Sequence, residues 1–434
     1  MSPVETPPSP TLWRHREFRN LWAGQTVSQF GSQVTQLAVP LIAALTLDAS
    51  PLQMGMLWAA YTAPALLLGL VAGVWVDRRR RRPTLIATDL LRALVLLAIP
   101  AAALLGLLRI ELLYLIALLT GALSLLFDVA YGSYLPSLVA RDRLPEGNAK
   151  LETSRVLARI AGPGLAGLLV RWLTGPIAIA VDAASYLVSA AFLARIAAPE
   201  PAPRPPAAGE SVRAAVRDGL HAVGRDPILR DTTLSAALWN VSDSIIVAVY
   251  VLFATRELGL GAGAVGLVFA AGNAGGVLGA LLGSRTASRL GPGPTVVRGA
   301  LLGAVGILLV PLAAGPPPVA AGVLVVAQVL ASASLSIGIV TVASVRQAIV
   351  PDHLLGRVNA TVRFATWGLL PLGSLLGGLL GGLLGLRPTL AVGALLAIAA
   401  FVAVWRSPVR ALTTLSHPAG APRDGMPPRR PTPA

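Results

Sequence analysis

Long stretches without a charged residue constrain this chain more than any other feature of its sequence. Five of them are long enough to cross a bilayer as a helix, which takes about 20 apolar residues. They are residues 20–47, 49–76, 258–284, 364–386 and 388–405. The chain is 13% charged, whereas a soluble domain has about 25% charged residues. We therefore predict a polytopic membrane protein, and short loops between spans would take up nearly all of its 434 residues.

Seven further spans follow from less regular patterns. The uncharged run 299–345 is divided into two helices by Gly315 and the three prolines after it. Five more apolar stretches carry isolated charges: residues 84–108, 112–135, 149–173, 175–194 and 232–254. The total of twelve is even, so the two termini are predicted to lie on the same side of the membrane.

The basic residues predict which side that is, because cytoplasmic loops carry an excess of Lys and Arg. Loops on the side opposite the termini contain four of them: Arg109, Arg171, Arg256 and Arg387. The other 31 of 35 (35 − 4) lie in the tails, in the loops on the same side as the termini or at adjoining helix ends. We predict a multi-pass plasma-membrane protein with both termini cytoplasmic. The net charge of +15 is then a topology signal, and no nucleic-acid partner is expected.

Two sequence markers recur at one offset and indicate an internal duplication. Gly55 matches Gly266 (266 − 55 = 211), and Asn148 matches Asn359 (359 − 148 = 211). We predict an all-α membrane protein of twelve helices in two pseudo-symmetric six-helix bundles. The predicted parts are a cytoplasmic tail (1–19), a first bundle (20–195), a cytoplasmic linker (196–231), a second bundle (232–405) and a disordered cytoplasmic tail (406–434). Apolar residues at helical spacing in the linker predict an amphipathic helix, and we favour the membrane surface over a protein partner for it.

Several motifs resemble those of the major facilitator superfamily. The stretch from Gly73 through Asp77 and Arg78 to Arg82 is similar to the family's loop motif, with Arg80 where a second glycine is usual. Residues 21–31, 127–130, 346–351 and 355–360 resemble the branch that holds macrolide-efflux and siderophore (enterobactin) exporters. The resemblance implies a twelve-helix carrier that works by alternating access and exports amphipathic organic molecules in exchange for protons. Two family features are absent, because span 4 has no arginine and Ser32 stands where many relatives have an acid.

The resemblance also implies roles for two groups of residues. A cytoplasmic gate would be formed by basic and acidic residues near the loop motif and before span 11: Gly73, Asp77, Arg78, Arg81, Arg82, Arg357 and Arg363. We expect Asp77 to cap span 11 and pair with Arg357 or Arg363. A glycine- and proline-rich segment of span 5 is similar, incompletely, to an antiporter motif and would serve as hinge or packing surface: Gly162, Pro163, Gly164 and Gly167.

Carboxyl groups inside the membrane are the first candidates for proton or substrate binding, because an ionised acid at the bilayer centre costs roughly 2.5 to 3.5 kcal/mol. Asp243 ranks first, since it lies near the middle of span 7 with Trp239 one turn earlier and Asn240 beside it. A carboxylate beside an indole can bind a cationic or amphipathic molecule. Asp182 in span 6 ranks second. Asp89 is expected to form a structural pair with Arg92, and Asp128 ranks with Asp89.

Span 1 carries polar residues at helical spacing, which indicates that it faces a central cavity rather than lipid. The substrate candidates on it are Gln29, Gln33 and Gln36. Alternative interpretations are an importer or uniporter of a small metabolite, and a transporter-like sensor. A membrane enzyme is not expected, since the sequence has no cysteine and no clustered histidines. We expect no metal site, no cofactor and a monomer, with a small molecule, protons and the lipid bilayer as partners.

Overall fold

The computed structural model describes residues 11–198, 200 and 212–414, and within them the chain is helical, with no strand. The helices are α1 (Arg16–Leu45), α2 (Pro51–Asp77), α3 (Arg81–Leu104), α4 (Ile110–Gly132), α5 (Leu135–Leu138), α6 (Leu144–Leu173), α7 (Gly175–Ala194), α8 (Val212–Arg225), α9 (Pro227–Leu252), α10 (Ala262–Leu290), α11 (Pro292–Leu312), α12 (Pro317–Ile349), α13 (Asp352–Trp367), α14 (Leu370–Leu384) and α15 (Leu386–Arg406). Residues 1–10 and 415–434 of the predicted tails, and 201–211 of the predicted linker, lie outside the described residues.

Local sequence signals set the ends of several helices. The Ser50 hydroxyl accepts from the Gln53 amide at 3.3 Å and the Gln53 side chain accepts from the Ser50 amide at 2.8 Å, a capping box that starts α2. The Asp226 carboxylate caps α9 in the same way, 2.8 Å from the amide of Ile228. Gly385 has a φ of 91°, which a residue with a side chain rarely adopts, and this allows the tight turn between α14 and α15.

Ten helices of the described residues are long and apolar enough to cross a membrane. The ten do not include α1 and α2, which have 30 and 27 residues. The predicted eleventh span begins earlier than residue 364 and is interrupted, because α13 ends at Trp367 and α14 begins at Leu370. The structure thus supports an all-helical membrane protein.

The helices pack as two halves. Helices α1 to α7, the first half, contact mainly one another, and so do α9 to α15, the second half. The two halves meet chiefly where α2 contacts α14 and where α6 contacts α10. Glycines make both contacts close: a Cβ on Gly378 would lie 3.0 Å from the Cα of Gly55, and one on Gly266 would lie 2.9 Å from the Cα of Gly167.

The described chain begins and ends at the same end of the molecule, here named the termini end. Leu12 donates to Glu146 at the start of α6, and Leu412 accepts from Gly293 at the start of α11. The opposite end, the distal end, holds the turn after α1 and the end of α9. These two meet there, since the Arg256 guanidinium lies 2.7 Å from the Asp48 carboxylate.

The linker helix α8 does not lie alone on a membrane surface. It packs against α13, where a Cβ on Gly219 would lie 2.7 Å from the carbonyl oxygen of Arg357. Val223 of α8 is buried with Val358 and Val362 of α13 in one apolar cluster. The apolar residues of α8 thus contact α13, which the sequence pattern of α8 alone could not reveal. The position of α8 at the membrane surface stays a prediction.

Candidate functional site

A cavity of about 770 Å³ lies between the two halves. Six polar residues of α1 line one wall: Ser28, Gln29, Ser32, Gln33, Thr35 and Gln36. The opposite wall is formed by α9, α10 and α12, with Asn273 and Gln328 among its polar residues. The volume of the cavity falls within the range of sites that enclose small organic molecules, about 300 to 1,000 Å³.

The cavity is closed at the distal end. There the glycine contacts between α2 and α14 and between α6 and α10 bring backbone against backbone, and the Arg256 guanidinium bonds to the Asp48 carboxylate at 2.7 Å and the Ala49 carbonyl at 2.9 Å. Toward the termini end α2 is free of such contacts, because a Cβ on Gly69 or Gly73 would meet no atom within 4 Å. The close glycine contacts between the halves therefore lie toward the distal end.

Asp243 of α9 lies on the cavity wall and its side chain is exposed to the cavity. Within the described chain its carboxylate has no hydrogen bond or ion pair. Trp239, one turn earlier, also lines the cavity, and the amide of Asn240 donates to the Thr366 carbonyl at 3.2 Å. An unpaired carboxylate on a cavity wall attracts a cation.

Aromatic rings line the same cavity. Seven besides Trp239 do so: Trp58, Tyr61, Phe127, Tyr186, Tyr250, Phe269 and Trp367. The rings of Tyr250 and Phe269 are 5.1 Å apart, and those of Trp58 and Tyr61 meet edge to face at 6.1 Å. Aromatic faces beside an anionic group suit an organic cation, because the ring quadrupole attracts positive charge and the ring surface buries apolar groups.

The first half carries its charge differently. Asp89 and Arg92 of α3 form an ion pair, and both are buried, with 0% and 4% of their surface exposed. The Arg92 guanidinium also lies 4.3 Å from the ring centre of Phe127 and 4.2 Å from that of Tyr186. Arg92 thus combines a carboxylate with two aromatic faces, and it reaches the cavity wall.

Asp182 of α7 is fully buried beside the cavity rather than on its wall. Its carboxylate accepts from the hydroxyls of Thr35 on α1 and of Ser185, the latter at 3.0 Å. Gly31 makes room for this group, since a Cβ there would overlap Ser185 and Asp182. Sequence analysis ranked Asp182 second among the candidates for proton or substrate binding. The structure places it one layer behind the wall and connects it to the cavity through Thr35.

The other cavity charges also belong to the first half. Asp128, Arg155 and Arg159 line the cavity and are exposed to it, whereas among the described lining residues of the second half Asp243 is the one charged side chain. Sequence analysis gave Asp128 a low rank and did not assign Arg155 or Arg159 to the cavity. Their positions depend on the rotation of α4 and α6, which isolated charges in apolar stretches do not fix.

The structure brings most predicted cavity residues together. Gln29, Gln33 and Gln36 line the wall with Trp239 and Asn240. The glycine motif of α6 lies at helix contacts: a Cβ on Gly162 would overlap Gln33, one on Gly164 would touch Ala270, and one on Gly167 would crowd Gly266, while Pro163 lines the cavity. The aromatic residues Tyr61 and Tyr250 line the cavity and were missed. Gln25, on the polar stripe of α1, is buried and does not line the cavity.

The predicted gate residues are divided between the halves. The side chain of Asp77 lies outside the described residues. Arg82 donates to the carbonyls of Leu193 at 3.0 Å and Ala194 at 2.6 Å, and the amide of Arg81 bonds to Glu200, so both bind within the first half or its linker. In the second half, the Arg363 guanidinium lies 4.5 Å from the ring centre of Trp367. Arg78 is exposed, and Gly73 lies in open space.

The comparisons with known proteins decide the family. The chain matches the family described as "Transmembrane secretion effector" over residues 7–428, nearly its whole length. The chain belongs to this family of the major facilitator superfamily. Its members and structural neighbours are transporters, so the protein is a multi-pass membrane transporter and not an enzyme. Within the described residues no group of His, Asp and Glu is arranged to hold a metal ion.

Two curated relatives give the range of similarity. The chain is 29% identical to "Multidrug efflux pump Tap" of Mycolicibacterium fortuitum, covering 89% of this chain and 95% of Tap. It is 26% identical to the "Uncharacterized MFS-type transporter YfiS" of Bacillus subtilis, and there the match spans about half of each protein, 53% of this chain and 54% of YfiS.

Solved structures share the fold at lower identity. A bacterial homologue of the iron transporter ferroportin in its inward-facing state has a TM-score of 0.73 at 19% identity, covering 91% of this chain and 98% of that one. A structure of a bacterial homologue of ferroportin in its outward-facing state has a TM-score of 0.58 at 19% identity, covering 90% of this chain and 98% of that one. Both likenesses show the fold that the chain shares with these transporters.

Proposed function

We propose that this transporter exports a small amphipathic molecule that carries a positive charge, in exchange for protons. One observation supports this above the others: the unpaired carboxylate of Asp243 faces a cavity lined by aromatic rings and closed at the distal end. A permanent or protonated amine would find there a counter-charge and apolar ring surface together. The similarity to a multidrug efflux pump favours export of such a molecule.

The proposed arrangement in the membrane completes the mechanism. We propose that α1 and α2 also cross the bilayer, which gives twelve spans in two six-helix bundles, with both termini cytoplasmic in the plasma membrane and the carrier acting as a monomer. The polar stripe that keeps α1 from resembling an ordinary span is the wall of the cavity, where polar groups are needed. The molecule would enter from the cytoplasm at the termini end and leave after the distal contacts open.

The experiment follows proton movement in everted membrane vesicles that hold a preformed pH gradient. Tetraphenylphosphonium, a neutral amphipath and an anionic amphipath are added in turn to wild type and Asp243→Asn. We expect the cation to dissipate the gradient in wild type. Loss of an ion-pair attraction of about 2 kcal/mol lowers the affinity of Asp243→Asn roughly 30-fold, so the response is strongly reduced at a concentration that half-saturates the wild type.

Asp231→Asn is the matched control, because Asp231 lies on the same helix, outside the cavity, 3.0 Å from Arg230. It should behave as wild type. Equal responses of Asp243→Asn and wild type at equal expression would remove Asp243 from the site. Flux of radiolabelled tetraphenylphosphonium without proton movement in wild type would replace antiport with a uniporter. A response to the anion alone would overturn the proposed charge of the substrate.

A further inference from the structure

Three charged side chains of the first half are withdrawn from solvent together. Asp89, Arg92 and Asp182 have 0%, 4% and 0% of their surface exposed, and they share one region between α3 and α7. Arg92 is the member that reaches the cavity wall. Several charged side chains can be buried in one region when opposite charges lie close together, since an unpaired charge is costly to remove from water.

The charges of this cluster do not balance when both acids are ionised. Asp89 is neutralised by direct contact with Arg92, whereas the hydrogen bonds of Asp182 come from two hydroxyls, Thr35 and Ser185. One positive charge is therefore missing, and a proton on Asp182 supplies it. A hydroxyl can donate to a carboxylate or accept from a carboxylic acid, so Thr35 and Ser185 satisfy Asp182 in either state.

A sodium ion would fit this position poorly. The oxygens bonded to the Asp182 carboxylate are two hydroxyls, whereas hard cations in proteins collect a shell of about six or more oxygens. A proton needs one oxygen and no shell, so the geometry fits it better.

The cluster is connected to the cavity by hydrogen bonds and by charge. Thr35 lines the cavity and donates to Asp182, and Ser32, also on the wall, bonds to the Tyr186 hydroxyl at 2.9 Å. Thr35 gives a proton a short path between Asp182 and the cavity.

Several titratable or charged groups face Asp182 or the wall beside it. They are Asp89 and Arg92 of α3, Tyr61 of α2, Asp128 of α4, Arg155 and Arg159 of α6 and Tyr186 on the same helix, while α1 contributes hydroxyls and amides. The tyrosines stay neutral across the working range of pH, and the arginines stay charged. Asp182 is thus the buried acid of this set that has no cationic partner in direct contact.

We propose that Asp182 binds the proton that is exchanged, at a site separate from Asp243, which recognises the charge of the exported molecule. This rests on the proposed function. The two sites communicate through charge, because a cation held in the cavity repels a proton on the cluster behind its wall. Binding of the cation expels the proton from Asp182 through Thr35 into the cavity, and return of a proton favours release of the cation.

Purified full-length protein in weakly buffered detergent solution separates the two roles. The affinity for tetraphenylphosphonium and the protons released on its binding are measured over a range of pH for wild type, Asp182→Asn and Asp243→Asn. Wild-type affinity should rise with pH, by at most about tenfold per pH unit for one linked proton. Asp182→Asn should bind with the low-pH affinity of wild type at every pH and release no proton. Asp243→Asn should bind more weakly and keep the pH dependence.

A milder variant tests the same site without removing the acid. Thr35→Val deletes a donor to the ionised form of Asp182, so the midpoint of the pH dependence should move to higher pH. The matched control is Thr26→Val on the same helix, because the Thr26 hydroxyl bonds within that helix to the Trp22 carbonyl at 2.8 Å. An unchanged midpoint in Thr35→Val would overturn the assignment.

The outcomes distinguish the two proposals. Proton release by Asp182→Asn equal to wild type, or pH dependence lost in Asp243→Asn, overturns Asp182 as a separate site and leaves antiport standing. Wild-type binding that releases no proton and has no pH dependence overturns antiport itself, and the proton site with it.

Discussion

The two halves of the transporter share their packing and differ in their chemistry. Gly55 and Gly266, which the sequence offset of 211 predicts to be equivalent, each pack at the distal end against a glycine of the other half. Charge, by contrast, is placed asymmetrically: the first half buries Asp89, Arg92 and Asp182, while the second half exposes Asp243 alone to the cavity among its described lining residues. Similar glycine packing in the two halves is therefore compatible with different charged roles.

Removing the buried Arg92 of the first half should produce the largest effect on the stability of the protein. Arg92→Leu leaves buried carboxyl groups without their counter-charge, and breaking a buried pair on one side costs about 3 to 5 kcal/mol. We expect a marked fall in the thermal unfolding temperature of the purified protein. Asp243→Asn in the second half should unfold near the wild-type temperature, since its carboxylate has no bonded partner to lose.

The double variant Arg92→Leu with Asp89→Asn sharpens this test, because it removes both members of the ion pair. It should recover part of the lost stability. An unfolding temperature as low as that of Arg92→Leu alone would mean that packing of the guanidinium on Phe127 and Tyr186, rather than charge, stabilises the cluster.

Adding a methyl group at one glycine of each half should also reveal the difference between the halves, with a smaller effect on stability than Arg92→Leu. Gly31→Ala forces a Cβ into Asp182 and Ser185, and overpacking costs about 1 to 3 kcal/mol. In the second half, Gly382→Ala adds a Cβ that meets no atom within 4 Å. Thermal unfolding and the pH dependence of tetraphenylphosphonium binding should both change in Gly31→Ala and little in Gly382→Ala. Equal changes in both variants would show that the first half has no special polar contact there.

The smallest effect is expected where the halves meet at the distal end. Arg256 and Asp48 are partly exposed, with 34% and 93% of their side-chain surface accessible, and such pairs contribute about 0.2 to 1 kcal/mol. Arg256→Ala should raise the population open at the distal end by up to about fivefold. The natural sequence has no cysteine, so Val251→Cys on the cavity wall can report this opening through labelling from the distal side.

Arg387→Ala is the matched control for that measurement. The Arg387 side chain bonds to Glu257 at 3.4 Å and to the Pro311 carbonyl at 3.0 Å, all within the second half. Its loss should leave labelling at Val251→Cys unchanged. Equal labelling in both variants would mean that the Arg256 contact does not hold the distal end closed.

Sequence reasoning found what depends on composition and on position along one helix. The loss of charge over long stretches predicted a membrane protein, and helix rise placed Asp243 near mid-membrane, where it lines the cavity. The polar spacing of α1 predicted its cavity face. The motifs predicted the superfamily, which the family match confirms. Each of these follows from a single helix without knowledge of its neighbours.

What sequence reasoning missed depends on which helix lies next to which. Asp182 is hidden behind the wall because Gly31 lets α1 approach α7 closely, and this approach is a property of both helices. Arg92 was expected to form a structural pair, yet it also stacks on Phe127 and Tyr186 from two other helices. The docking of α8 on α13 was missed for the same reason. The rotation of each helix against its neighbour, and the depth at which a side chain is buried, depend on tertiary packing. The spacing of polar and apolar residues along one helix does not determine them.

The glycine contacts at the distal end make the transport cycle vulnerable to chance mutation far from any ligand. Because Gly55, Gly378, Gly167 and Gly266 press backbone on backbone, every other amino acid adds atoms where none fit. A comprehensive mutational scan selecting for resistance to a toxic cation should find these four positions as intolerant as the cavity itself. Positions that tolerate no substitution in such a scan would therefore include glycines at which the two halves contact each other, as well as residues that bind the transported molecule.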